Sequence, residues 1–137
     1  MAAFNKFNSF VEYLAEKIHD LGNDALKLAL TNSAPVASNT VLANITEISY
    51  TNCSSRAVTV TSSSQSSGTY SLVANDPVLT ASGGSIAAFR YVVLYNDTPS
   101  SPYIDPLIGW WDYGSSVTVN DGETFTVDFG SSVLTIV

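Results

Sequence analysis

Chemistry-bearing side chains are scarce in this sequence, which holds one cysteine, one histidine and five lysines and arginines. A lone Cys53 excludes an internal disulfide framework. It reads as a loop or strand-start residue, because a reactive thiol needs a pKa-lowering setting and Arg56 is the only cation near it in sequence. A lone His19, set between Ile18 and Asp20, leaves no Ser-His-Asp triad, Cys-His pair or histidine-based zinc site to assemble. It reads as a solvated residue on a helix surface. The basic residues Lys6, Lys17, Lys27, Arg56 and Arg90 form no cluster, and the formal net charge is −7. Phosphate binding needs clustered positive charge, so nucleic acid is excluded as a partner. No apolar run approaches the roughly 20 residues of a membrane span, and no signal peptide is read at the N-terminus. Nor is there a glycine-rich phosphate loop: Ser82-Gly83-Gly84-Ser85 precedes a strand pattern rather than a helix.

Charged residues make up only 12% of the chain while 45% is hydrophobic. The charged share is about half the usual one, and serine and threonine together supply roughly a quarter of the residues. Such a chain buries a real core and solvates its surface with hydroxyls and amides. The N-terminus carries a helix signal over residues 9–21. Ser9 and Glu12 match a capping box, Val11, Leu14, Ala15, Ile18 and Leu21 recur at helical spacing, and Gly22 is placed to end the helix. Asn23 and Asp24 then turn the chain into a strand in which Leu26, Leu28 and Leu30 alternate with Lys27 and Ala29.

Residues 31–51 are rich in Asn, Ser and Pro and read as an ordered excursion with a short helical turn. Short strands follow over Arg56–Ser63, Thr69–Asn75, Val78–Thr80, Ile86–Asn96, Leu107–Tyr113, Val117–Val119, Glu123–Phe129 and Val133–Val137. Their connections carry Ser-Gly, Asp-Pro, Gly-Gly and Asn-Asp-Gly signals. Residues 62–68 (SSSQSSG) read as an exposed hairpin tip. Around Asn120-Asp121-Gly122-Glu123 the alternation of Val117 and Val119 before the turn, and of Phe125, Val127 and Phe129 after it, predicts a β-hairpin. The pattern is mainly β, of the α+β type: an N-terminal amphipathic helix followed by an antiparallel β-sandwich or jelly-roll-like domain. We read one domain over 1–137, with a docking arm at 1–8, the helix at 9–21 and a β-rich body over 25–137.

The stretch from Phe89 to Phe129 (FRYVVLYNDTPSSPYIDPLIGWWDYGSSVTVNDGETFTVDF) holds both tryptophans together with Tyr91, Tyr95, Tyr103 and Tyr113, and has no His, Cys or Lys. With the final SSVLTIV and the opening FNKFNSFVEYLAEKIHDLGNDALKLALTNSAPVASNTVLANITEIS, it resembles a group of small tailed-bacteriophage virion proteins of the capsid cement or decoration type. Tyr50–Arg56 (YTNCSSR) departs from the glycine-rich run of that group. The resemblance implies a structural protein without enzymatic activity or cofactor. It would be made in the host cytoplasm and placed on the outer capsid surface of the virion. Its partners would be the major capsid protein and copies of itself, as a homotrimer on the threefold axes of the shell.

The aromatic residues are the best functional clue. On a strand Trp110 and Trp111 point to opposite faces, so one fills the core while the other faces solvent, a loop or a partner. Tyr91 and Tyr113 are candidates for the same surface. Phe89, Tyr91, Val93 and Tyr95 form one row of their strand and Arg90, Val92 and Leu94 the other, which makes that strand central and covered on both sides. Phe4, Phe7 and Phe10 lie three apart ahead of the helix stripe; either they pack on the chain's own sheet, or Phe4 and Phe7 dock an arm on a neighbouring subunit. The candidate interface is therefore Phe4, Phe7, Tyr91, Trp110, Trp111 and Tyr113. The alternative reading is a tail- or fibre-associated module that stacks a host glycan on Trp110, Trp111 and Tyr113 with Asp112 beside them. Asp97, Asp105, Asp112, Asp121 and Glu123 are the carboxylates from which a glycosidase pair could be drawn, and Asn96/Asp97 and Asn120/Asp121 the candidates for calcium. Neither shows a dedicated spacing, so no catalytic, cofactor-binding or metal-binding residue is assigned.

Overall fold

The computed structural model describes residues 2–137. In chain order the elements are β1 (Asn5–Lys6), α1 (Ser9–Ala15), β2 (Leu26–Thr31), a 3₁₀ turn (Leu42–Asn44), β3 (Ala57–Val58), β4 (Val60–Ser66), β5 (Thr69–Ala74), β6 (Val78–Thr80), β7 (Ile86–Asn96), β8 (Leu107–Val119), β9 (Thr124–Thr126) and β10 (Leu134–Ile136). The fold is mainly β and its ladders are antiparallel. A five-stranded sheet has the order β1-β8-β7-β2-β3, a three-stranded sheet the order β10-β5-β4, and β6 pairs with β9.

Alternation along β2 and β7 decides what each face of the large sheet covers. Leu26, Leu28 and Leu30 join Val92, Leu94, Ile108 and Trp111 in the main core, which takes in Leu72, Leu79 and Leu134 from the smaller sheets. Ala29, Val93, Tyr95 and Leu107 face the other way, where Phe7 and Ile45 close over them and Leu42 and Trp110 pack at the margin. The second face is thus covered by the chain's own N-terminal segment and by the 31–51 excursion, which does contain the expected helical turn. No subunit contact is needed to bury it. Among the described residues no helix is long and apolar enough to cross a membrane.

Several expectations are corrected by the geometry. The helix is shorter than residues 9–21. The N–H groups of Lys17 and Ile18 donate to the carbonyls of Leu14 and Tyr13 at 3.3 and 2.8 Å, with Lys17 at φ 66°. That is a Schellman closure with lysine in the left-handed position usually held by glycine. Gly22 lies beyond it in a loop. The capping box is absent, since α1 has Asn8 as its N-cap and no side-chain cap hydrogen bond. Nor does the expected stripe define the buried face: Phe10 is buried and Val11 is half exposed.

The row on β7 is also broken. Its pairing with β8 shifts register between Ile86 and Phe89 and again between Phe89 and Tyr91. These bulges re-aim the strand, so Phe89 joins Ile86 and Val92 in the main core rather than the Tyr91–Val93–Tyr95 row.

The hairpin expected at Asn120–Glu123 does not form either, although the turn does. Glu123 N–H donates to Asn120 O at 2.8 Å, and Gly122 supplies φ 82°. Val119 pairs with Ile86 of β7, however, and Phe125 pairs with Leu79 of β6. The turn therefore carries the chain from one sheet to another, fixed from outside by hydrogen bonds between Gly122 N–H and Ala81 O (2.9 Å) and between Ala81 N–H and Glu123 O (3.0 Å).

Candidate functional site

The six aromatic candidates do not form one exposed patch. Trp110 and Trp111 take opposite faces as strand geometry requires, and both are covered. Trp111 is 3% exposed and lies between Phe4 and Phe129 at ring distances of 5.4 and 5.3 Å. Trp110 is partly buried beneath Phe7, 4.6 Å away on the other face. Phe7 is fully buried, held where its N–H donates to Ile108 O. Phe4 lies directly over Gly109, where an added Cβ would fall 2.1 Å from the ring. Phe4 and Phe7 therefore seat the N-terminal segment on the chain's own sheet, with β1 paired to β8. The picture of a free arm carrying Phe4 and Phe7 is replaced.

Tyr91 is buried. Tyr113 packs edge-on against Phe125 at 5.1 Å, and its hydroxyl is buried without a hydrogen-bond partner among the described residues. Burial pushes that phenol up to about 12, aided by the charges of Asp128 and Asp76. Asp112 turns outward to a two-pronged pair with Arg90, at 2.8 and 3.0 Å. The hydrogen bond from Arg90 holds its carboxyl below the usual range, helped by the Gly114 N–H. The glycan platform of Trp110, Trp111, Tyr113 and Asp112 is thus not assembled on one face.

Sequence reasoning missed two polar clusters. His19 is 4% exposed rather than solvated. The amide of the fully buried Asn96 lies 3.1 Å from His19 Nδ1 and 2.6 Å from Asp24 Oδ2. As the amide nitrogen can only donate, Nδ1 accepts and the ring proton sits on Nε2, which has no partner among the described residues. Burial lowers the imidazole to about 4, against the opposing pull of Asp24. The network ties the exit of α1 to the start of β2 and the end of β7. The Asp20-x-x-x-Asp24 spacing was a weak signal for it, since Asp24 accepts from the Asp20 N–H at 2.8 Å.

The second cluster closes an edge of the large sheet beyond the short β3. Arg56 donates to Leu28 O and stacks 3.5 Å over the Tyr50 ring. The Tyr50 hydroxyl accepts from Leu30 N–H at 3.0 Å and donates to Glu47. Burial raises the Tyr50 phenol well above its ordinary value, and the Glu47 hydrogen bond adds to the shift. Side chains here work beside isolated main-chain bonds, Leu28 N–H to Arg56 O and Ile48 N–H to Leu30 O, where no continuous strand runs. Cys53 is half-buried, and burial pushes its thiol up while Arg56 opposes.

The carboxylates serve local structure. Asp121 accepts from Gly83 N–H and Glu123 from Asn120 N–H, both at 3.0 Å. Among the described residues no three His, Cys, Asp or Glu side chains converge to hold a metal ion. An apolar groove of about 580 Å³ opens between Leu14, His19 and Leu21 on one side and Ser63, Tyr70 and Ile136 on the other.

The remaining surface of note is the β4–β5 hairpin. From Ala57 to Asn75 the chain has no charged residue, in a protein of net charge −7. Ser67 and Gly68 form its turn at φ 50° and 84°. Residues 61–68 are exposed throughout, but only Ser67 and Gly68 form the tip; Ser62–Ser66, expected there, are paired in β4. No protein-family model matches the chain, and neither a curated protein nor a solved structure matches it.

Proposed function

We propose that this chain is a virion structural protein, a capsid cement or decoration protein with a jelly-roll-like β-sandwich body. In this reading it sits on the outer capsid surface, binds the major capsid protein and strengthens the shell through contacts with its neighbours. The observation that carries it is the β4–β5 hairpin: exposed along β4, free of charge, and rich in hydroxyls. A clamp needs a stiff surface that repeated subunits can approach without repulsion. It needs no reacting groups. The tryptophans and phenylalanines stiffen the body from inside, which leaves the outside hydroxyl-rich. Each contact can be weak, because a lattice multiplies it by local concentration.

The test is co-sedimentation of purified protein with shells that lack it. Saturable pelleting with the shells, together with a rise in their disruption temperature, is expected. Protein that stays in the supernatant at saturating concentration sinks the reading.

A further inference from the structure

We infer that the free edge of β4 pairs with β4 of a second copy of this chain, antiparallel and about a twofold axis. Ladder geometry shows which backbone groups are free. Ser63 is opposite Leu72 in the β4–β5 pairing, and Gln65 is opposite Tyr70. Leu72 directs its backbone groups to β10, since its carbonyl accepts from Val133 N–H at 2.7 Å. In an antiparallel ladder residues facing each other either exchange both hydrogen bonds or neither. Ser63, and Gln65 two residues on, therefore turn their N–H and C=O away from β5. Among the described residues nothing receives them: the Ser63 hydroxyl bonds Tyr70, the Gln65 side chain accepts from Gly68, and neither main chain has a partner outside the ladder.

The rest of the fold treats its edges differently. The outer strands β1 and β3 have two residues each, and β6, β9 and β10 three each. The stretch of β2 beyond β3 is capped by Arg56 and Tyr50. β6 is capped by Ser54, whose hydroxyl accepts from Thr80 N–H at 2.8 Å. Folded proteins blunt a long edge with lysine, proline or a cover. β4 has seven residues, all exposed after Val60, with no charge and no proline. An edge left open in this way fits a strand partner.

Self-complementary register points to a second copy as that partner, and the absence of charge lets it approach. Two chains of net charge −7 repel over most approaches, and an uncharged hairpin is where they can meet. Centring the twofold axis on Ser64 sets Ser63 opposite Gln65 of the second copy, so that the free groups of each satisfy the other. Ser64 then faces Ser64 of the second copy, at the close spacing of a non-hydrogen-bonded pair. The two three-stranded sheets become one continuous sheet. Because the axis stands normal to that sheet, Ser62, Ser64 and Ser66 of both copies point the same way. The inference rests on the cement reading only in treating this hairpin as a contact surface. It sets a twofold contact in place of the threefold one that the family resemblance implies.

The experiment uses the whole protein, free of shells, so its outcome is separate from shell binding. In a Cys53→Ser background, Ser64→Cys should form a disulfide-linked dimer under mild oxidation. Ser66→Cys, whose counterpart across the axis is Ser62, should form at least tenfold less. In sedimentation equilibrium the wild type should be a weak dimer, in keeping with a small interface. Gln65→Pro removes an outward N–H and, with the side chain, the bond from Gly68 N–H, but no main-chain bond of the β4–β5 ladder, and should raise the dimer dissociation constant at least tenfold. Should that variant fail to fold by circular dichroism, Ser64→Lys serves instead, because it sets like charges opposite each other on an exposed face. A monomer at millimolar concentration overturns the inference. So does a trimer, equal crosslinking at 64 and 66, or a dimer that both variants leave intact.

Discussion

Replacing Phe7 by alanine tests whether the N-terminal segment belongs to this chain's own fold. Phe7 is fully buried, lies 4.6 Å from the Trp110 ring, and closes the second face of the large sheet with Ile45 and Leu107. Truncation removes the transfer energy of the ring and leaves a cavity that the rigid strands beneath it cannot collapse. Changes of this kind cost about 3–5 kcal/mol, with the aromatic pair contributing about 1 kcal/mol of it. For a chain of this length that corresponds to a melting temperature lower by about 10–17 °C. Phe4→Ala, at a half-buried site over Gly109, should cost about 1–3 kcal/mol. Urea denaturation followed by tryptophan fluorescence reads both. A loss below about 1 kcal/mol for Phe7→Ala, or a loss that appears only at concentrations where copies associate, would refute the seating and restore a docking arm.

Three further outcomes follow from the polar clusters. The folded state disfavours protonation of His19, held at about 4 against 6.5 in the unfolded chain. Its contribution is complete above pH 6.5 and falls away as pH drops toward 4, by about 3 kcal/mol in all. The difference in unfolding free energy between wild type and His19→Gln, measured at pH 7 and pH 4.5, should shrink toward acid; a constant difference counts against the buried neutral imidazole. Tyr113→Phe deletes a buried hydroxyl with no partner among the described residues, so stability should hold or rise by up to about 1 kcal/mol, and a clear loss in thermal denaturation would mean that the hydroxyl has a partner. Arg56→Lys keeps the charge but loses the planar stacking on Tyr50 and the bond to Leu28 O. It should cost about 1–3 kcal/mol, with hydrogen exchange at the Leu30 amide faster by a matching factor, and unchanged exchange there contradicts the capping role.

Much of the fold was legible because it follows from period and turn chemistry. The Leu26–Leu28–Leu30 row, the opposed tryptophans and the strands β5, β6 and β7 are local patterns, and the structure keeps them; the strand expected over 56–63 divides between β3 and β4, those over 107–113 and 117–119 run together as β8, and that over 123–129 shortens to β9. What was not legible depends on partners distant in sequence. The turn at Asn120–Glu123 is plain in its residues, but no residue there states that Phe125 pairs with Leu79 rather than with the strand just left. Ile86, Phe89 and Val92 all reach one core only because bulges against β8 reset the alternation. The helix end was misplaced because Lys17 holds a left-handed position without being glycine. His19 looked solvated because its partners, Asp24 and Asn96, are brought to it by β2 and β7. Of the candidate site, the exposure of the serine run was readable from composition, but its place in β4 rather than at a tip was not. Nor was its open edge, since an edge is defined by which strands fail to cover it.

The proposed function puts this chain on the outside of a shell. Immunogold labelling of particles from its source, with an antibody raised against it, reads that location. Dense label over the head is expected. Label confined to the tail, or absent from intact particles while the same antibody detects the chain in their lysate, would contradict it.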